Sequence, residues 1–150
     1  MADMHIEELT TTAEFREAHP VMKQLRPVDE ETYLDLIEEM RSEDGYRLYA
    51  LRDGPDGAIR AVAGLELGTT LYHGKRVWVH DLVVDEPHRS EGYGSHFLEW
   101  IGEWADERGC SCIELASGLW RDEAHEFYER NDMEKYCYTF KMELSTDSPY

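Results

Sequence analysis

His80 to Glu107 reads HDLVVDEPHRSEGYGSHFLEWIGEWADE. Its first residues continue an apolar strand that begins before His80. A short turn follows, then a loop punctuated by Gly92 and Gly94, then a helix with one apolar face. Two glycines let the backbone approach a ligand closely and take angles that other residues avoid. Amides at a helix start, aided by the helix dipole, attract an anion. Arg89 adds a side-chain cation at the mouth of the same loop. The pattern is neither the G-x-G-x-x-G of a dinucleotide fold nor a Walker loop.

Working outward, the earlier half reads as a short strand, two helices and a three-strand meander. His5 to Leu9 is the first strand. Thr11 or Thr12 caps a helix with Glu14 in its first turn and Phe15, Ala18, Met22 and Leu25 on one face. Pro20 is expected to kink or split it. Asp29 caps a second helix carrying Tyr33, Leu34, Ile37 and Met40 and ending near Gly45. Tyr46 to Arg52 is a strand, and DGPDG (Asp53 to Gly57) is its turn. Ala58 to Leu67 and Lys75 to Val84 complete the meander, joined by a turn over Gly68 to Gly74. Gly109 stops the long helix. Cys112 to Ala116 is a strand that should lie parallel to the one before the helix. Arg121 to Arg130 forms a last helix, with Ala124, Phe127 and Tyr128 inward. Lys135 to Leu144 is a last strand, and STDSPY is a frayed end.

The order β–α–α–β–β–β–α–β–α–β and the register R-x-x-G-x-G between strand and helix resemble the GCN5-related N-acetyltransferases. AHEFYERNDM resembles that family's second signature, in which an alanine, an aromatic and a tyrosine precede a tight turn. The resemblance covers most of the chain. It implies an α/β fold with a mixed sheet and a splayed parallel pair, as one N-acetyltransferase domain over residues 1–150.

The resemblance also implies an activity, transfer of acetyl from acetyl-CoA to an amine, and assigns parts to residues. Leu82, Val83 and Val84 would face Glu114 to Ala116 and hold the pantetheine arm as an added strand does. An amide near Val83 or Val84 would polarise the thioester carbonyl. The diphosphate would rest on the amides of Ser90, Glu91, Gly92, Tyr93, Gly94 and Ser95, with Arg89 beside it. Tyr128 would protonate the departing thiolate; a phenol of pKa about 10 can do so. His80 stands where some relatives carry a glutamate base, and imidazole suits that task directly or through water. Glu66 and Asp81 are rivals for the base and would serve the acceptor. Strand alternation sends His80 and Asp81 to opposite faces. Ser90, Glu91, Arg121, Asp132 and Met133 depart from the residues common at their positions. The tail SGLWRDEAHEFYERNDMEKYCYTFKMEL looks most like members acting on small amines. Acetylation of a protein N-terminus or lysine is an alternative, and a non-catalytic acyl-CoA-binding regulator is another. Family members often pair, so a homodimer is a further implication.

Composition bounds these readings. The chain has 150 residues, enough for one core. It carries 33 acidic against 15 basic residues, a net charge of -18, so nucleic acid would be repelled. Only Lys23, Lys75, Lys135 and Lys141 are lysines. Acid excess with scarce lysine reads as adaptation to a salty cytosol. Unfolding midpoints are expected to rise steeply from dilute buffer to molar KCl; a flat response would remove that reading. Four Trp and nine Tyr argue against disorder. No apolar run of membrane-spanning length and no secretory signal are read, so a cytoplasmic location is expected. Cys110, Cys112 and Cys137 match no zinc spacing and read as reduced thiols. The remaining histidines show no metal spacing either, so no ion is expected.

Overall fold

The computed structural model describes residues 3–144. In chain order they form β1 (Met4–Leu9), α1 (Thr12–Met22), α2 (Glu30–Glu43), β2 (Arg47–Asp53), β3 (Ile59–Thr70) and β4 (Gly74–Val84). A 3-10 turn (Glu86–His88) leads to α3 (Tyr93–Glu107), β5 (Cys112–Leu115) and α4 (Asp122–Arg130). The STDSPY end lies outside the described residues. The chain divides into two compact units at Leu115/Ala116.

The first unit holds one sheet in the order β1-β2-β3-β4-β5. β1 to β4 pair antiparallel in sequence, and β4 pairs β5 parallel. A parallel neighbour requires a crossover, which α3 provides. One sheet face packs Leu9, Leu48, Val62 and Val83 against Phe15 and Met22 of α1 and Tyr33 and Ile37 of α2. The other packs Leu51, Ala63, Val77 and Val79 against Phe97, Ile101 and Trp104 of α3. Phe97 and Ile101 are fully enclosed, and burial of each stabilises the fold by about 1.5–3 kcal/mol.

The helix starts follow local chemistry. Thr11 and Glu14 form a capping box, and Asp29 accepts from the Thr32 amide. The Thr10 amide bond holds the Glu14 carboxyl below the usual carboxylate range, and the Thr32 amide does the same for Asp29. Pro20 does not split α1. It sits in the last turn, and the helix ends two residues later at Met22. A proline there forfeits one ladder bond near an end that was already due.

Arg52 reaches through the first sheet face to two carboxylates. It donates Nε to Glu7 at 2.6 Å and both Nη atoms to Glu17 at 2.6 and 2.8 Å. Those bonds raise its own pKa, and the Arg52 bond lowers that of Glu17. This ties β1, β2 and α1 together on the edge far from β5.

The second unit, described by itself, contains α4. Ala124, Phe127 and Tyr128 are half-buried, and the Phe127 and Tyr128 rings meet at 5.5 Å. The expected strand over Lys135 to Leu144 is not formed: residues 133–144 are neither helix nor strand. Tyr136, Tyr138, Phe140, Met142 and Leu144 do alternate with polar residues, and all are exposed. Period two states which side chains would share a face. A strand also needs an edge to bond, and no ladder among the described residues includes this segment. No helix among the described residues is long and apolar enough to cross a membrane.

Candidate active site

β4 is longer than its neighbour β5. The parallel ladder joins Arg76, Val77, Trp78 and Val79 to Cys112, Ile113, Glu114 and Leu115, and stops there. Residues 80–84 of β4 run on with no strand partner on that edge among the described residues. The expected facing of Leu82, Val83 and Val84 with Glu114 is therefore corrected: Glu114 pairs with Trp78, and the three valine and leucine positions lie beyond the ladder. Their free edge is the part of the sheet able to accept an extended ligand.

The ladder between β3 and β4 slips where this edge begins. Leu65 pairs with Val79, but Gly64 pairs with Asp81, leaving His80 as an extra residue on β4. Such a bulge re-aims side chains next to it. The result corrects the expectation that His80 and Asp81 point to opposite faces. Both meet Tyr46: the His80 ring lies 5.6 Å from the Tyr46 ring, and Asp81 Oδ2 accepts from the Tyr46 hydroxyl at 2.7 Å. Gly64 makes room for this. A Cβ there would sit 1.9 Å from the Tyr46 hydroxyl oxygen.

Asp81, expected as a rival base serving the acceptor, is not open to an acceptor. It is 8% exposed. Its second oxygen accepts from Arg26 Nε at 2.8 Å, so both oxygens are committed. Burial and the Asp81 charge hold the Tyr46 phenol well above its ordinary pKa, so it remains a donor. His80 differs. Its Nε2 lies 3.2 Å from Glu66 Oε1, both side chains are partly open to solvent, and Trp78 stands 6.5 Å away, ring to ring. Glu66 is thus a partner of the imidazole rather than a lone rival to it.

Past β4 the loop delivers its amides. Ser90 and Gly92 take positive φ angles of 67° and 91°. For Ser90 that conformation costs about 1–2 kcal/mol, which glycine would not incur. Gly92 is the N-cap of α3; no side chain caps the helix and its first turn holds no acidic residue. α1 and α2 both have side-chain caps and acidic first turns. The amides at Tyr93, Gly94 and Ser95 therefore meet the dipole's positive end without a resident carboxylate. Glu91 turns aside, with Oε1 3.5 Å from His88 Nδ1. Arg89 folds back, donating Nε to the Val84 carbonyl at 3.0 Å and reaching Gln24 at 3.4 Å. Tyr128 lies on α4 of the second unit.

Comparison with known proteins decides the family. A model described as the acetyltransferase (GNAT) family matches residues 9–133. The chain belongs to the GNAT family of acetyltransferases. Among GNAT relatives, the uncharacterized N-acetyltransferase YhdJ of Bacillus subtilis is 38% identical over 126 residues, covering 83% of this chain and 87% of that protein. The aminoalkylphosphonate N-acetyltransferase of Salmonella typhimurium is 32% identical over 100 residues, 66% of this chain and 62% of that protein. In fold, the chain is similar to a transcriptional regulator from Bacillus halodurans, with TM-score 0.79 and 22% identity over 95% of this chain and 100% of that one. It is also similar to glucosamine-6-phosphate N-acetyltransferase from Arabidopsis thaliana, with TM-score 0.70 and 22% identity over 97% and 99%.

Two residues that brace the candidate site escape a reading of the sequence, Gln24 and Arg26, just after α1. Gln24 donates to Asp85 at 2.7 Å and accepts from the Glu86 amide at 2.9 Å. Arg26 binds Asp81 and also the His80 carbonyl at 2.8 Å. Together they fasten the α1–α2 connection to the bulge and to the start of the loop. Neither residue type signals such a role. The bulge had a signal: Gly64 interrupts the apolar run AVAGLEL, and glycine inside a strand marks a bulge or a close approach.

Proposed function

We propose that this chain transfers acetyl from acetyl-CoA to a primary amine of a small molecule, by direct attack within a ternary complex. The reading takes residues 1–150 as one N-acetyltransferase domain. The observation that carries it is the bulge: it sets His80, bonded to Glu66, at the root of an unpaired strand edge that leads straight to the uncapped start of α3. Acetyl-CoA fits these residues, since they offer a strand edge for a peptide-like arm and orphan amides for a diphosphate.

Each residue has a part in this reading. His80 takes a proton from the incoming ammonium, directly or through water, and Glu66 holds the ring. A β4 amide near Val83 or Val84 polarises the thioester carbonyl. Tyr93, Gly94 and Ser95 seat the diphosphate from the start of α3. Arg89 would need to leave the Val84 carbonyl to join them. Tyr128 gives its proton to the thiolate as it departs. A Tyr128→Phe enzyme is expected to turn over about 10- to 1000-fold more slowly with its affinity for acetyl-CoA retained. Unchanged turnover would assign the acid to another group or to water.

The relative named for aminoalkylphosphonates supports a small amine as acceptor. Release of free thiol from acetyl-CoA, measured with aminoalkylphosphonates, aminoglycosides, lysine peptides and peptides with free N-termini, tests the proposal. Release with a small amine supports it. Release with peptides alone would move the assignment to protein acetylation. Tight CoA binding with transfer to no amine would replace catalysis by acyl-CoA sensing.

A further inference from the structure

At the opposite end of β4 from the loop, three chemically distinct donors come together. His73 lies in the turn between β3 and β4, and Cys112 and Glu114 project from one face of β5, two residues apart. The His73 ring nitrogen, the Cys112 sulfur and a Glu114 carboxylate oxygen all lie within 4.8 Å of one another. His73 Nε2 is 3.1 Å from Glu114 Oε2. All three side chains are half-buried. Ser111 pins the turn to the start of β5: its hydroxyl donates to the His73 carbonyl at 2.6 Å, and its amide to the Lys75 carbonyl at 2.8 Å. The donors are thus held by strand pairing and by the tie to Ser111.

We propose that His73, Cys112 and Glu114 form a zinc-binding site. Imidazole nitrogen, thiolate sulfur and carboxylate oxygen are the ordinary donors of this ion, and three protein donors with one water make a four-coordinate site. Zinc bonds of about 2.0–2.3 Å place tetrahedral donors about 3.3–3.7 Å apart, so donors up to 4.8 Å apart close by about 1.5 Å at most. Charge balances as well. Binding expels one proton, from the Cys112 thiol, and the dication then meets one thiolate, one carboxylate and a neutral ring.

Glu114 is already divided in a way that suits this. Oε2 faces His73, whereas Oε1 is 3.3 Å from Arg76 Nε without the alignment of a hydrogen bond. Both atoms of that second contact are shielded from solvent. Oε2 can bind the ion while Oε1 keeps the Arg76 charge. Sequence spacing hides the site, because His73 and Cys112 stand far apart in the chain and are brought together by the parallel ladder and the Ser111 tie.

Cobalt(II) added to the full-length, chelator-treated protein tests the proposal. The expected result is one equivalent bound with a sulfur-to-cobalt charge-transfer band in the near ultraviolet, displaced by zinc. Cys112→Ser should abolish the band, and His73→Ala should weaken binding at least tenfold. Cys110→Ser and Cys137→Ser should keep the band. If Cys112→Ser fails to fold, His73→Ala in the turn carries the test. Binding without the band means ions on surface carboxylates only and overturns the proposal. So does a band that survives both Cys112→Ser and His73→Ala.

Discussion

A His80→Gln enzyme is expected to lose about 100- to 10,000-fold in kcat, the range a positioned base contributes, while its Kd for acetyl-CoA stays near that of the parent. His80 is the residue that the ladder leaves over, so its side chain is set by the bulge rather than by pleat alternation. Its ring is fixed from three sides, by Glu66 at 3.2 Å and by the rings of Tyr46 and Trp78 at 5.6 and 6.5 Å. Glutamine keeps some of the bulk and the bond to Glu66 but takes no proton from an ammonium. Glu66→Gln should cost less, because it loosens the ring without removing it. The measurement is initial rate at saturating acetyl-CoA and acceptor, with binding followed separately by calorimetry. An unchanged kcat in His80→Gln would refute the assignment, and Glu66 would become the next residue to test.

Gly64→Ala is expected to destabilise the protein by about 2–6 kcal/mol. A methyl group 1.9 Å from the Tyr46 hydroxyl oxygen cannot be accommodated in place. Either Tyr46 moves or the bulge opens. Overpacking of this kind costs about 1–3 kcal/mol. Tyr46 is 2% exposed, so displacing it also leaves Asp81 short of a partner, at about another 1–3 kcal/mol. Tyr46→Phe separates the two effects, since it removes the hydroxyl while leaving Gly64 its space. The midpoint and slope of urea unfolding report both changes. Stability near that of the parent in Gly64→Ala would mean that β3 and β4 re-register freely, and that the bulge is not a fixed feature.

The parts of this fold that were legible in the sequence are those made by neighbours in the chain. Thr11 with Glu14, and Asp29 with Thr32, declare their helix starts within four residues. The apolar spacing of α3 declares its buried face, and the loop before it declares its glycines. The family resemblance joined these into an architecture that the sheet order and its parallel β4–β5 pair bear out. What stayed hidden depends on pairing across distance. The bulge exists only because Gly64 meets Asp81, and Asp81 is buried only because Arg26 and Tyr46 reach it. The pairs of Arg76 to Val79 with β5 likewise decide where the free edge starts. Lys135 to Leu144 shows the reverse case, a strand-like alternation that enters no ladder among the described residues.

The clasp formed by Gln24 and Arg26 has a consequence in time. Gln24 to Asp85 spans 61 residues and Arg26 to Asp81 spans 55, whereas β3 and β4 are joined by a turn of three residues, Leu71 to His73. Closing long segments costs more entropy than closing short ones, and distant contacts slow folding. The hairpin is therefore expected to zip early, and the clasp to lock only after the first two helices have docked. On that schedule a nascent chain acquires its sheet before the geometry of its candidate site.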